Sequence, residues 1–181
     1  PLAAIKVHAQ NLMTDTTEAR SQRGARSIIN GVDRMTRVVE QLLTLSRLES
    51  GEGMNRQAVD LTRLGRELQR DMQPLVDGRR IEFTQQIPAE LQVVSYENGL
   101  YVLLRNLLDN ALRYTPEGGE VCLRMRQAEG RLHIEIADSG PGIPVAERER
   151  VFERFVRLAG QRTSGSGLGL SIVQELAERL G

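Results

Sequence analysis

Arg105-Asn106-Leu107-Leu108-Asp109-Asn110-Ala111-Leu112-Arg113-Tyr114 is the stretch on which the reading of this chain turns. With the residues just before it, it places Leu100, Leu103, Leu104, Leu107, Leu108 and Ala111 at the i, i+3, i+4, i+7 spacing of an amphipathic helix. Asn106, Asn110 and Arg113 are four and then three residues apart and so share a second face. At about 100° per residue, that face lies about a third of a turn from the centre of the apolar stripe. Two carboxamides there are a poor choice for helix propensity. Carboxamide oxygens are, however, hard neutral ligands suited to Mg²⁺, an ion that keeps several waters and shares its coordination with substrate phosphates. A solvated helix flank is the plainer reading of the same three residues.

The bulk composition narrows the classes. The chain has 181 residues, 40% of them hydrophobic, which suits one or two domains with a real core. Lys plus Arg and Asp plus Glu both number 24, so bulk charge favours neither a nucleic-acid nor an acidic-lipid partner. The single cysteine, Cys122, can form no internal disulfide and reads as a small core residue in a strand-like run. No run approaches 18 apolar residues and no signal-peptide pattern opens the chain. The expectation is a soluble piece, with any membrane anchor in a segment outside it.

Outward from the central helix, the chain changes texture once. Residues 1–13 read as the end of a helix, with Leu2, Ile5, Ala9 and Leu12 on one face, and Thr14-Asp15-Thr16-Thr17 supplies turn and N-cap chemistry. From Glu18 to about Ser50 runs a long proline-free helix, in which Ala25, Ile28, Val32, Met35, Val39, Leu42 and Ser46 form a heptad seam. Ile29, Val38, Leu43, Leu45 and Leu48 widen that stripe toward a bundle. A helix of roughly 33 residues spans about 50 Å and one of roughly 13 only about 20 Å. Leu42, Leu43, Leu45 and Leu48 therefore want a longer first helix, a second chain, or both. Gly51-Glu52-Gly53 marks a linker. Beyond it come a helix from Leu61 to Val76, short strands at 81–84 and 91–94, the Asn-bearing helix closed by Thr115-Pro116-Glu117-Gly118-Gly119, and a hairpin. In the hairpin Val121, Leu123 and Met125 alternate with Cys122, Arg124 and Arg126, and Leu132, Ile134 and Ile136 with His133, Glu135 and Ala137. A helix-rich face on a mixed sheet is an α+β sandwich.

Two glycine-bearing stretches complete the set. Asp138-Ser139-Gly140-Pro141-Gly142-Ile143-Pro144 follows the last strand. Asp138 keeps the parity of Ile134 and Ile136, so its carboxylate is expected on the packed side, where it needs a donor such as the exocyclic amine of a base. A turn with a capping Asp is the alternative. After Phe152-Glu153-Arg154-Phe155-Val156-Arg157 and a polar run from Ala159 to Ser166, Gly165-Ser166-Gly167-Leu168-Gly169-Leu170 opens a helix carrying Leu168, Ile172, Val173, Leu176 and Leu180. Glycines at a helix N-terminus offer free N–H groups and a positive dipole end to phosphate. The run is neither a Walker loop nor a dinucleotide fingerprint, and a flexible loop before an ordinary helix would look similar.

The ordered series Asn106-x3-Asn110, Asp138-x-Gly140-x-Gly142, Phe152/Phe155 and Gly165-x-Gly167-x-Gly169 resembles the N, G1, F and G2 boxes of sensor histidine kinases, members of the GHKL ATPase superfamily. The resemblance covers residues 58–181 or so. Gln41-Leu42-Leu43-Thr44-Leu45-Ser46-Arg47-Leu48-Glu49 resembles the second helix of the family's dimerisation and phosphotransfer hairpin, and Pro1-Leu2-Ala3-Ala4-Ile5 the tail of its H-box, nearest in flavour to EnvZ, PhoQ and QseC. What the resemblance implies is an α+β chain: a partial helical hairpin over 1–55, a four-helix bundle in the dimer, then a Bergerat-type α/β sandwich over 56–181 that lacks its last strands. It implies ATP and Mg²⁺ as ligands. Asn110 would be the principal metal ligand with Asn106 beside it, and Arg113 and Arg157 would meet phosphate. Tyr114 would stack on adenine, Asp138 would accept from its amino group, and Gly140, Gly142 and Ile143 would shape the base pocket. Gly165, Gly167, Leu168 and Gly169 would form the phosphate-facing end of an ATP lid whose base Phe152 and Phe155 pack.

The departures from the family pattern bear on chemistry. His8 lies after the proline, not five residues before it, and His133 alternates outward from a strand, so neither matches the phosphoacceptor. No catalytic residue is therefore assigned in this piece. It is expected to bind Mg-ATP without phosphorylating itself. The resemblance further implies a homodimer through residues 1–50, the receiver domain of a response regulator as partner, no nucleic acid, and a place as the cytoplasmic portion of a bacterial inner-membrane protein. Two other classes remain open: a GHKL ATPase of the gyrase B, MutL or chaperone type, and a degenerate, non-catalytic dimerisation module.

Overall fold

The computed structural model describes residues 2–15, 19–50, 55–156 and 166–180. In chain order these form α1 (Leu2–Asp15), α2 (Ala19–Ser50), β1 (Gln57–Asp60), α3 (Leu61–Arg79), β2 (Glu82–Gln86), β3 (Gln92–Ser95), α4 (Glu97–Tyr114), β4 (Glu120–Ala128), β5 (Arg131–Asp138) and α5 (Gly169–Leu180). Two short 3₁₀ turns, Val145–Glu147 and Arg150–Phe152, lie between β5 and α5. None of the helices among the described residues is long and apolar enough to cross a membrane.

α1 packs on α2. Ala9, Ala25 and Val32 are buried in the hairpin, while Ile28, Met35, Val39 and Leu43 of the expected stripe are exposed. Thr14 and Asp15 continue α1 rather than turn; Thr16, Thr17 and the linker at Gly51–Gly53 lie outside the described residues.

α3 shows how local chemistry sets an element's bounds. Asp60 caps it, its side chain accepting from the Arg63 N–H at 2.9 Å. Leu61, Leu64, Leu68, Met72 and Val76 are buried along one side. The helix runs past Val76, the end expected from sequence. Pro74 removes one backbone donor without stopping it. The stop comes at Arg80, in the left-handed region at φ 51°, and not at Gly78. Arg80 N–H donates to Asp77 O and Ile81 N–H to Val76 O, a Schellman closure whose apolar pair, Ile81 and Val76, is buried.

β1, which hydrophobic alternation did not reveal, pairs antiparallel with β3, Val59 against Val93. The main sheet has the order β2-β4-β5, with β2 parallel and β5 antiparallel to β4. Val121, Leu123 and Met125 are buried on its inner face. Cys122 faces Ala137 on the other side and is only half-buried, so the reading of it as a core residue is corrected: strand parity sends it outward with Arg124. Leu64 and Leu68 of α3, Leu104, Leu108 and Leu112 of α4, and Ile172 and Leu176 of α5 share one core with these strands, each leucine contributing about 1.5–3 kcal/mol on burial. Val38 of α2 lies against the same core.

Outside the core, α3 and α4 are joined by polar contacts. Arg63 bonds Glu67 of its own helix at 2.8 Å and Glu97 of α4, and the Tyr101 hydroxyl donates to Asp71. Partial burial first, then the bond to the Asp71 carboxylate, pushes the Tyr101 phenol up from 10.0 to about 12. The folded state thus favours neutral Tyr101, and this contribution to stability is whole below pH 10 and lost as pH rises through about 12. In an ultraviolet titration, the difference between the wild type and Tyr101→Phe should show one phenol ionising near pH 12; ionisation near pH 10 would remove the Asp71 contact from the account.

Candidate functional site

The site begins with the second face of α4. Asn106, Asn110 and Arg113 are half-buried. Asn106 Nδ2 donates to Val102 O at 2.8 Å, which ties the amide nitrogen to its own helix and turns Oδ1 outward. The first residue of α5, Gly169, sits directly over this face. A β-carbon there would lie 3.3 Å from Asn106 Oδ1 and 3.7 and 3.8 Å from Nδ2 and Oδ1 of Asn110. A side chain at 169 would therefore fill the space in front of both carboxamides. One turn on, Arg113 Nε donates to Asp109 Oδ2 at 2.6 Å, a pair that the i, i+4 spacing allowed but the sequence reading did not name.

The second wall is the end of β5 and its loop. Asp138 pairs with Val121, so its parity is as expected. Its carboxylate, however, is exposed and not buried. It is the last residue of the strand, and Oδ1 is satisfied locally by the Gly140 N–H at 2.9 Å. Gly140 lies against the end of α4, where a β-carbon would be 3.2 Å from Tyr114 O. The loop is tied back to β4 on both sides of Ser139: its N–H donates to Glu120 O at 3.0 Å and its hydroxyl accepts from Glu120 N–H at 2.9 Å. Gly142 takes φ 70° with open space around it, and Ile143 is exposed.

The third wall is a backbone clasp. Phe155 N–H donates to Gly167 O at 2.8 Å. Gly167 has φ 73°, and a β-carbon on it would lie 2.7, 2.8 and 2.9 Å from Phe155 C, Phe155 Cα and Val156 O. Phe155 joins the clasp through its backbone; Phe152 and Phe155 are 38% and 63% exposed, and the lid whose base they are expected to pack lies outside the described residues. Leu168, expected at the phosphate-facing end, keeps its side chain elsewhere. Its side chain is 0% exposed in the core and its N–H is taken by Ser166 Oγ at 3.2 Å, which leaves nothing of it to touch a ligand. Arg157 and Gly165 lie outside the described residues.

Chemically, the arrangement offers two neutral carboxamides beneath a helix N-terminus, a guanidinium, and an exposed carboxylate near an aromatic residue. No group of three His, Cys, Asp or Glu able to hold a metal exists among the described residues. A cation here would need ligands supplied by its substrate, as Mg²⁺ does with phosphates.

Two family models match the chain: "His Kinase A (phospho-acceptor) domain" over residues 1–51 and "Histidine kinase-, DNA gyrase B-, and HSP90-like ATPase" over 95–181. The solved mycobacterial sensor histidine kinase MprB is 37% identical over 70% of this chain and 81% of that one, with a TM-score of 0.59. The chain belongs to the sensor histidine kinases. The sensor protein QseC of Escherichia coli K12 is 36% identical over 98% of the kinase chain and 39% of its own length. Full-length ShkA, solved in complex with AMPPNP, is 29% identical with a TM-score of 0.74, over 98% of this chain and 38% of that one. The chain spans about two fifths of the length of the curated relatives it matches first.

The clasp carries a direct consequence. In this kinase Gly167→Ala meets both a positive φ and main-chain atoms that cannot move aside, and should cost about 1–2 kcal/mol or more in denaturant unfolding. Gly118→Ala, at φ 77° with nothing near, carries the backbone penalty alone. Equal losses for the two would remove the clasp from the account.

Proposed function

We propose that this chain is the ATP-binding and dimerisation core of its kinase and binds Mg-ATP between α4 and the start of α5. The observation that carries the reading is the bare approach of Gly169 to Asn106 and Asn110, which brings a helix N-terminus close to both carboxamides with no side chain at 169 between them. Asn110 and Asn106 would hold the ion, which when bound neutralises charge developing on the transferred phosphoryl group. Arg113, shared with Asp109, faces the phosphates. Tyr114 and Asp138 take the adenine, the carboxylate accepting from its amino group while Gly140 and Gly142 let the backbone come close. Arg157 and Gly165 belong to the same reading as lid residues. That ShkA was solved with AMPPNP supports a nucleotide in this family.

The hairpin is the dimerisation and phosphotransfer unit of this reading, over residues 1–55, and residues 56–181 are the ATP-binding unit. Ile5, Leu12, Ile28, Met35, Val39 and Leu43 leave apolar surface in water along α1 and α2, and a second copy would cover it as a four-helix bundle. In the whole protein a bundle histidine receives the γ-phosphoryl group and passes it to an aspartate of a response-regulator receiver domain, on the cytoplasmic side of the bacterial inner membrane. His8 and His133 are both exposed and neither takes that role. His8 follows the proline of the motif and His133 stands on the outer face of β5.

Calorimetry with Mg-ADP tests the site. Asn110→Asp puts a negative charge beside the phosphates and should weaken binding by about tenfold or more, about 1.4 kcal/mol, with the nucleotide-free melting temperature little changed because the residue is off the buried stripe. Unchanged affinity sinks the metal assignment. With labelled ATP, no acid-labile phosphate should appear on this chain; label on His8 or His133 would overturn that part of the reading.

A further inference from the structure

We propose that Arg79, outside every motif of the site, is a positioning residue for nucleotide binding that acts by fixing the C-terminal end of α4; this rests on the function proposed above. The last carbonyls of a helix have no partner within it. In α4, Ala111 O is met twice by Thr115, from its N–H at 2.9 Å and its hydroxyl at 2.7 Å. Arg113 O is met from another element: the half-buried Arg79 guanidinium donates to it across from the end of α3. The same residue grips the following loop, its own carbonyl accepting the Gly118 N–H at 3.1 Å. Arg79 thus holds both ends of the stretch 113–118, with its charge at the negative end of the α4 dipole.

The end of α4 is where this matters. Arg113 and Tyr114, both assigned to the nucleotide in the reading above, stand at it, and Tyr114 O abuts Gly140. Gly119 is wedged so tightly that a β-carbon would be 2.6 Å from both Ser139 Oγ and Thr115 Cγ2. A shift of residues 113–119 is therefore passed to Ser139 and Gly140, and so to Asp138, whose carboxylate holds the Gly140 N–H. Arg79 is itself placed by the Schellman closure that puts Arg80 at φ 51° and buries Ile81. A planar guanidinium, with several donors in one fork, suits a carbonyl at a helix end better than an ammonium does.

The test compares wild type, Arg79→Met, Arg79→Lys and, as control, Asn110→Asp, by Mg-ADP calorimetry, nucleotide-free melting and amide NMR. Arg79→Met should weaken Mg-ADP by about five- to tenfold at a temperature where it is fully folded, and Arg79→Lys should recover part of the loss. In nucleotide-free Arg79→Met, amide shifts beyond the immediate neighbours of residue 79 should be confined to residues 113–119 and 138–142. Wild-type affinity in Arg79→Met, with Asn110→Asp impaired, overturns the positioning role and leaves the site standing. Shifts spread through the core overturn it as well, since they mark general destabilisation. No Mg-ADP binding by the wild type overturns both readings.

Discussion

The azimuth of α4 is the constraint from which the rest of the structure follows. Leu100, Leu104, Leu108 and Leu112 are buried along one side. At about 1.5–3 kcal/mol each they hold the helix against any rotation about its axis. A slip by one residue would turn it through about 100° and carry the leucines out of the core. The same rotation would carry Asn106 and Asn110 away from Gly169. Two polar residues of modest helix propensity are thereby kept in place by apolar neighbours that never touch a ligand. The Asn106–Val102 bond adds a local restraint on one of the two carboxamides.

From the opposite side the 167–169 stretch repeats this logic with consecutive residues. Gly167 joins Phe155 through the backbone, Leu168 enters the core, and Gly169 meets the carboxamides. The buried leucine between the glycines explains why two flexible residues can hold fixed positions: the entropic liability of glycine is offset by an anchor between them. The leucine that looked like part of a phosphate-facing loop serves the site without seeing it.

How much of this is legible in the sequence depends on the interaction. Periodicity exposes what burial decides: the α4 stripe, the β4–β5 hairpin, and the pairing of both asparagines on one face; it also marks the long α2, although Ile28, Met35, Val39 and Leu43 of its stripe lie in water. It also exposes parity, which put Asp138 on the side of Val121. It does not say where a layer stops, and Asp138, at the last position of its strand, is open to solvent with its carboxylate satisfied within the loop. β1 escaped because only Val59 of its four residues is fully buried, and a single inward position makes no pattern. The end of α3 escaped because an arginine, not the nearby Gly78, took the left-handed place. Cys122 was misread by residue type although its parity with Arg124 pointed outward. Long-range backbone contacts such as Phe155 to Gly167 leave no mark on composition at all.

Phe155 shows what such contacts cost and why they persist. It is a bulky residue at φ 67° with its ring 63% exposed, so neither local preference nor burial favours its conformation. A non-glycine residue in that region carries a penalty of about 1–3 kcal/mol. Among the described residues, the gains at the position are the bond from its N–H to Gly167 O and the close fit of the Gly167 backbone against its Cα and carbonyl carbon. Those gains exist only while 167 is a glycine and Leu168 stays in the core. The strained residue, the bare one and the buried one are therefore a single unit, and its strain is stored beside the two carboxamides, where backbone strain tends to gather at sites that bind.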